Sequence, residues 1–182
     1  EVKVIIGVST DTDDALGLIT NNLLESNGNT TSSLSSSILS NYKSIFEIEK
    51  GITFIKQKFH YFSTKALLSR SKNKYEDHYH NVELYHSKVI NNGEIDFKLW
   101  VDECINIIDK VDKTKEYRQK ENSNIDNIIF EKIKKIIINI INTINYITLQ
   151  LHVGSGFFVR QYIHDLSVKL NIPLMCYDIN RI

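Results

Sequence analysis

Cysteine is scarce in this sequence, and so are proline, net charge and unbroken apolar runs. The 182 residues hold two cysteines, Cys104 and Cys176. They stand far apart, match no zinc-ligand spacing and are too few for a disulfide scaffold, so a reducing compartment is expected. Twenty-two basic residues balance 22 acidic ones, so no global field draws the protein to nucleic acid or membrane. Any RNA-binding surface must be local. Asn, Lys and Thr interrupt the apolar runs well before the roughly 20 residues that a membrane span needs. No signal-peptide pattern opens the chain, and a soluble protein with no membrane partner is expected. The single proline is Pro173. What remains is a chain with 42% hydrophobic residues, long enough for one domain with its own core.

Val2, Val4, Ile5 and Ile6 read as a strand already under way, so a portion N-terminal to Glu1 is expected. Ser9 to Asp14 favour a turn through side-chain hydrogen bonds, and Leu16 to Ile19 read as the returning strand. Residues 26–37, rich in Ser, Asn and Thr, read as a loop. Ile38, Leu39, Tyr42, Ile45 and Phe46 recur at helical spacing. Residues 81–90 alternate as a half-buried strand, with Val82, Leu84 and His86 on one side. Trp100, Val101, Cys104, Ile107, Ile108 and Val111 form one helical stripe. The isoleucines from Ile125 to Ile144 form a second, which is a packing face before anything functional. Tyr146 to Val153 alternate again, with Ile147, Leu149, Leu151 and Val153 on one face. Gly154-Ser155-Gly156 stops that strand. A last helix is expected from Phe157 to Leu170, with Phe158, Val159, Tyr162, Ile163, Leu166 and Leu170 inward and Pro173 beyond its end.

One segment departs from the balanced charge. Lys50, Lys56, Lys58, Lys65, Arg70, Lys72 and Lys74 follow one another with no acidic residue between Glu49 and Glu76. Phe54, Phe59, His60, Tyr61 and Phe62 are interleaved with them, a composition suited to phosphates and unstacked bases, although an ordinary solvated face has the same look. His78, His80 and His86 have no Cys or acidic partner at ligand spacing, so no metal site is expected there.

The string His152-Val153-Gly154-Ser155-Gly156-Phe157-Phe158-Val159-Arg160, followed by His164-Asp165-Leu166, resembles the S-x-G-T-Y-I-R-x-L-x-x-D-L motif of TruB-type tRNA pseudouridine synthases. Phe157 stands where that motif has threonine. Three further segments are similar in family order. Gly7-x-x-Thr10-Asp11-Thr12-x-Asp14-x-x-Gly17 looks like the family's G-x-x-T-D-T-x-D-x-x-G turn. Gln57-x-Phe59-His60-x-Phe62-Ser63-Thr64-Lys65 is similar to Q-x-P-P-x-Y-S-A-K with both prolines replaced, and Ile179-Asn180-Arg181 resembles Leu-Arg-Arg. The resemblance covers about residues 1–90 and 145–182, the C-terminal part of that catalytic domain. Residues 91–144 look like the helical insertion of eukaryotic, fungal-type members.

The resemblance implies an α+β pseudouridine synthase fold, in part, with a twisted, mainly antiparallel sheet and flanking helices. It implies a monomer that isomerises the T-loop uridine of tRNA without metal or organic cofactor. The location would be intracellular, in the nucleus or mitochondrion of a eukaryote. By the match, Arg160, Phe158 and Ile179 belong to the catalytic site. Arg160 would pair with the family's catalytic aspartate, Phe158 would wall the flipped uracil and Ile179 would pack against it. Lys56, Lys58, Lys65, Arg70 and Arg181 would contact the tRNA. No Gly-x-Leu-Asp segment occurs in these residues, so the chain taken alone is expected to be inactive. A non-catalytic tRNA-binding or folding member of the family is the alternative. Outside RNA biology, Asp11, Asp13 and Asp14 are similar to part of the calcium-binding D-T-D-x-G-x-D-D-A of nucleoside hydrolases, without its spacer. A helical interaction protein built on residues 91–144 is a further reading.

Overall fold

A computed structural model describes residues 1–10, 13–15, 19–22, 40, 45–48, 51–58, 79–113 and 143–181. Among these lie seven strands and two helices: β1 (Val2–Ile6), β2 (Val8–Thr10), β3 (Ile19–Asn22), β4 (Thr53–Lys58), β5 (Tyr79–Asp96), α1 (Phe97–Lys113), β6 (Thr143–Val153), α2 (Val159–Leu170) and β7 (Leu174–Ile179). Five strands form one sheet in the order β4-β5-β6-β1-β7, and β2 and β3 form a separate ribbon. Every pairing between named strands is antiparallel. The protein is therefore a mixed α+β structure on a mostly antiparallel sheet.

β1 is a central strand, and its composition follows from that position. Val2, Val4 and Ile6 face one side and join Leu84, Leu149, Ile163 and Leu174 in a core covered by α2. Ile5 faces the other side and joins Trp100, Cys104, Ile144 and Met175 beneath α1. A strand covered on both faces is apolar at successive positions rather than at alternate ones. β7 shows the same pattern, with Leu174, Met175, Cys176 and Tyr177 all buried. The sequence pattern marks no strand there.

β5 is longer than the expected 81–90 strand and less regular. Register shifts between Leu84 and His86 and between Val89 and Asn91 interrupt its ladder with β6. The first shift turns Ser87 inward, fully buried, where its hydroxyl donates to the Phe46 carbonyl at 2.6 Å. An extra residue in one strand breaks the period-two alternation, so extrapolating from Val82 and Leu84 places His86 on the wrong side.

Residues 91–96 continue β5, and Ile95 and Asp96 pair with Ile144 and Thr143. The described helical part of the 91–144 region is α1, on which Trp100 and Cys104 are buried as the stripe predicts. Ile144, the last position of the second helical stripe, lies in β6 instead. Its β-branched side chain fits a pleated surface. The other isoleucines of that stripe lie outside the described residues, as do the 26–37 loop and most of the 38–46 stripe.

α2 begins two residues later than expected, at Val159, after Phe158 in extended conformation. It ends at Asn171, which adopts left-handed geometry (φ 52°). Ser167 Oγ donates to the Ile172 carbonyl at 2.7 Å and accepts from the Leu174 amide at 3.2 Å. Pro173 has no amide hydrogen with which to continue the helix.

Candidate functional site

Four segments far apart in the sequence meet around the start of α2. The first is the acidic turn after β2. Thr10 Oγ1 donates to the Asp14 carbonyl at 2.7 Å, and the Asp13 amide donates to the Thr10 carbonyl at 3.2 Å. Asp13 takes φ 57°, a left-handed conformation that Asp tolerates better than most residues. The turn lies against β7, where Asp14 bridges Cys176 and the Cys176 amide donates to the Asp13 carbonyl at 2.9 Å.

The turn's carboxylates point at α2. Arg160 Nη1 donates to Asp14 Oδ2 at 2.5 Å, and the two side chains are 29% and 15% exposed. One turn further along α2, His164 Nδ1 lies 2.9 Å from Asp13 Oδ1. The guanidinium expected to meet a carboxylate supplied from elsewhere thus already meets one inside the chain. A guanidinium carries five donors in a planar fork, and the contact with Asp14 is made at one of its nitrogens.

β4 supplies the third segment. Gln57 is fully buried and holds the backbone just ahead of α2 from both sides. Its Oε1 accepts from the Phe158 amide at 2.9 Å, and its Nε2 donates to the Phe158 carbonyl at 3.1 Å. His80 on β5 adds to the same junction, with Nε2 3.1 Å from the Gly156 carbonyl and its ring edge-on to Phe158 at 5.5 Å. Gly156 has φ 79°, which a side chain rarely permits.

The fourth segment is the end of β7. An open cleft of about 690 Å³ lies beside it, lined by Glu1, Val2, His86, residues 150–157, Val159, Ile179, Asn180 and Arg181. Ile179 also packs on the core beneath α2.

The expected site residues therefore divide into three places. Arg160 and Phe158 sit at the Asp14 and Gln57 contacts, while Ile179 and Arg181 line the neighbouring cleft without Arg160 or Phe158. Lys56 is exposed on β4. Lys58 ends β4 with no described side chain, and Lys65 and Arg70 lie outside the described residues. His80 and His86 serve separate backbone carbonyls, Gly156 and Ile48. Sequence reasoning missed Asp14 as the partner of Arg160, Asp13 as that of His164 and Gln57 as the clamp on Phe158. Asp14 and Gln57 each stood at a matched motif position, a signal that marked the residues without naming what they touch.

Burial is the main reason that the Cys176 thiol has a raised pKa, with Asp14 and Asp13 adding to the rise and Arg160 opposing it. That thiol stays protonated and unreactive. Among the described residues no group of three or more His, Cys, Asp or Glu could hold a metal ion, and no helix is long and apolar enough to cross a membrane. No protein-family model and no curated protein matches this chain.

Proposed function

We propose that this chain is the C-terminal part of a TruB-type tRNA pseudouridine synthase domain, acting on the T-loop uridine of tRNA. One observation carries the reading. Segments singled out by motif alone, the 7–17 turn, Gln57 and residues 156–160, are joined directly by Arg160–Asp14 and by both Gln57–Phe158 hydrogen bonds. Matches arising by chance at sequence separations of 146 and 101 have no reason to touch. The antiparallel sheet supports the pseudouridine synthase fold only in its coarse architecture.

In this reading Asp14 is a positioning residue. It anchors one nitrogen of the Arg160 guanidinium, so that the group is held where it would meet a second carboxylate and keep it ionised in a desolvated pocket. Gln57 sets the path of Phe158, whose ring stands at the same junction as a wall for an extruded base. Arg181 and Lys56 supply positive charge at exposed positions for phosphates.

The calcium-dependent hydrolase reading has less support. Asp13 and Asp14 lean on His164 and Arg160, and a guanidinium beside Asp14 repels a divalent cation.

The test is pseudouridine formation at the T-loop of an unmodified tRNA transcript by the protein that carries this chain. Activity is expected, falling about a hundredfold or more in Arg160→Ala and Arg160→Lys because a preorganised contact is lost or misshaped. A wild-type protein that binds the transcript but forms no pseudouridine leaves the non-catalytic family member. One that neither binds nor modifies the transcript overturns the reading.

A further inference from the structure

The face of β4 and β5 turned away from α2 carries an unusual set of side chains. Strand alternation sends Ile55 and Gln57 toward α2 and the core, and Phe54 and Lys56 the other way. Phe54 pairs with Glu83, Lys56 with Asn81 and Lys58 with Tyr79. Directly opposed residues share a face, so Phe54, Lys56, Tyr79, Asn81 and Glu83 form one surface. Further along the same sheet face, α1 covers Ile5, Ile144 and Met175. At the β4 end the rings are open to solvent, Phe54 at 68% and Tyr79 at 52% exposure. The Lys56 ammonium sits 5.0 Å from the centre of the Tyr79 ring.

We infer that this surface is a stacking platform for unpaired bases of RNA, with Phe54 and Tyr79 each receiving a base and Lys56 contacting a phosphate. The inference rests on the RNA-binding part of the proposed function and adds a site to it. Three features favour RNA over another protein chain. The two rings lie four residues apart along the strands, about 13 Å, which separates them into two base positions rather than one apolar patch. A lysine, not an aliphatic side chain, stands beside the Tyr79 ring. The sequence that runs through β4, from Lys50 to Tyr75, holds seven basic residues and no acidic one before Glu76, a composition that complements a phosphate backbone. Among the described residues the one carboxylate on this face, Glu83, accepts from the Tyr85 hydroxyl at 2.5 Å and sits across from Phe54, at the end away from Lys56. The phosphates would therefore run past the lysine end while the bases lie on the rings.

The experiment is fluorescence anisotropy of a labelled single-stranded oligouridylate and, in parallel, an unmodified tRNA transcript, across a salt series. Phe54→Ala and Tyr79→Ala are each expected to weaken oligouridylate binding about five- to a hundredfold. Phe54→Leu should do the same, because it keeps the apolar surface and loses the π face. Lys56→Gln should reduce the salt slope by about 0.7. Both rings are exposed, so the variants should melt at the wild-type temperature. Aromatic variants whose affinities stay within about twofold of the wild type overturn the platform, and if the wild type binds the transcript the tRNA reading survives. A wild type that binds neither RNA overturns both. Variants that dissociate a dimer while RNA affinity holds also overturn it, and make the face a contact between copies of the chain.

Discussion

Arg160 and Asp14 are separated by 146 positions and by 2.5 Å, and the pair is only partly solvated. Removing one partner takes a charge-assisted hydrogen bond from the other in a partly desolvated setting, which typically costs about 1–3 kcal/mol. Asp14→Ala should lower the urea midpoint accordingly. Arg160→Lys should recover less than half of the loss of Arg160→Ala, because an ammonium cannot reproduce the planar fork. Equal stability of Arg160→Ala and wild type would mean that the pair contributes nothing to the fold.

Cys176 gives a pH prediction with a definite sign. Its folded pKa is raised above the ordinary value of 9.0, mainly by burial. The unfolded chain therefore loses the thiol proton first, and stability present below pH 9 falls as pH rises beyond it. The contribution of one such group approaches about 1.4 kcal/mol per pH unit above that point. Unfolding free energies from pH 8 to pH 10 should fall more steeply for the wild type than for Cys176→Ala. Parallel curves for the two proteins would remove the thiol from the account.

Among elements, the junction between β6 and α2 concentrates the constraints. Gln57 reaches across from the edge strand β4 to both backbone groups of Phe158, so the start of α2 is pinned to the sheet by a side chain. Gln57→Leu keeps the volume but takes from the Phe158 amide its side-chain acceptor, at about 1–3 kcal/mol, while the Phe158 carbonyl keeps the Tyr162 amide at 3.0 Å. The Phe158 amide should then exchange hydrogen much faster, while amides in the middle of β1 stay protected. Gly156, two residues earlier, sits at φ 79°, and a Cβ placed on it would meet no atom within 4 Å. Strain there is purely conformational, so Gly156→Ala should cost about 1–2 kcal/mol and Gly156→Asn less. Thermal unfolding of the two variants separates this from a packing effect, which would penalise the larger Asn more.

At the scale of the whole molecule, the five-stranded sheet is covered on opposite faces by different helices. α2 covers the face with the motif residues, and α1 the face of Ile5, Ile144 and Met175. This gives α1 a structural task in addition to any other. Trp100 is almost wholly buried there, and Trp100→Ala should cost about 3–5 kcal/mol, as other large-to-small core changes do. Replacing residues 97–142 by a short linker should lower the melting temperature sharply even though it leaves the β5–β6 pairing intact. Unchanged melting would make the region a detachable appendage.

The apolar face of β6, the α1 stripe around Trp100 and Cys104, and the amphipathic face of α2 were legible because each depends on a local period of two or 3.6 residues. β7 was not, since burial on both faces erases the period that marks a strand and leaves a short apolar run that looks like any other. The inward turn of Ser87 follows from a bulge that no composition records. Residue identity determined that a basic, aromatic-rich segment, an acidic turn and an arginine at the start of a helix exist here. Only the tertiary structure decided that Asp14 is the carboxylate that meets Arg160 and that Gln57 holds Phe158. Such pairings depend on strand order and register, and these are set by the packing of the whole sheet rather than by any segment's own preference.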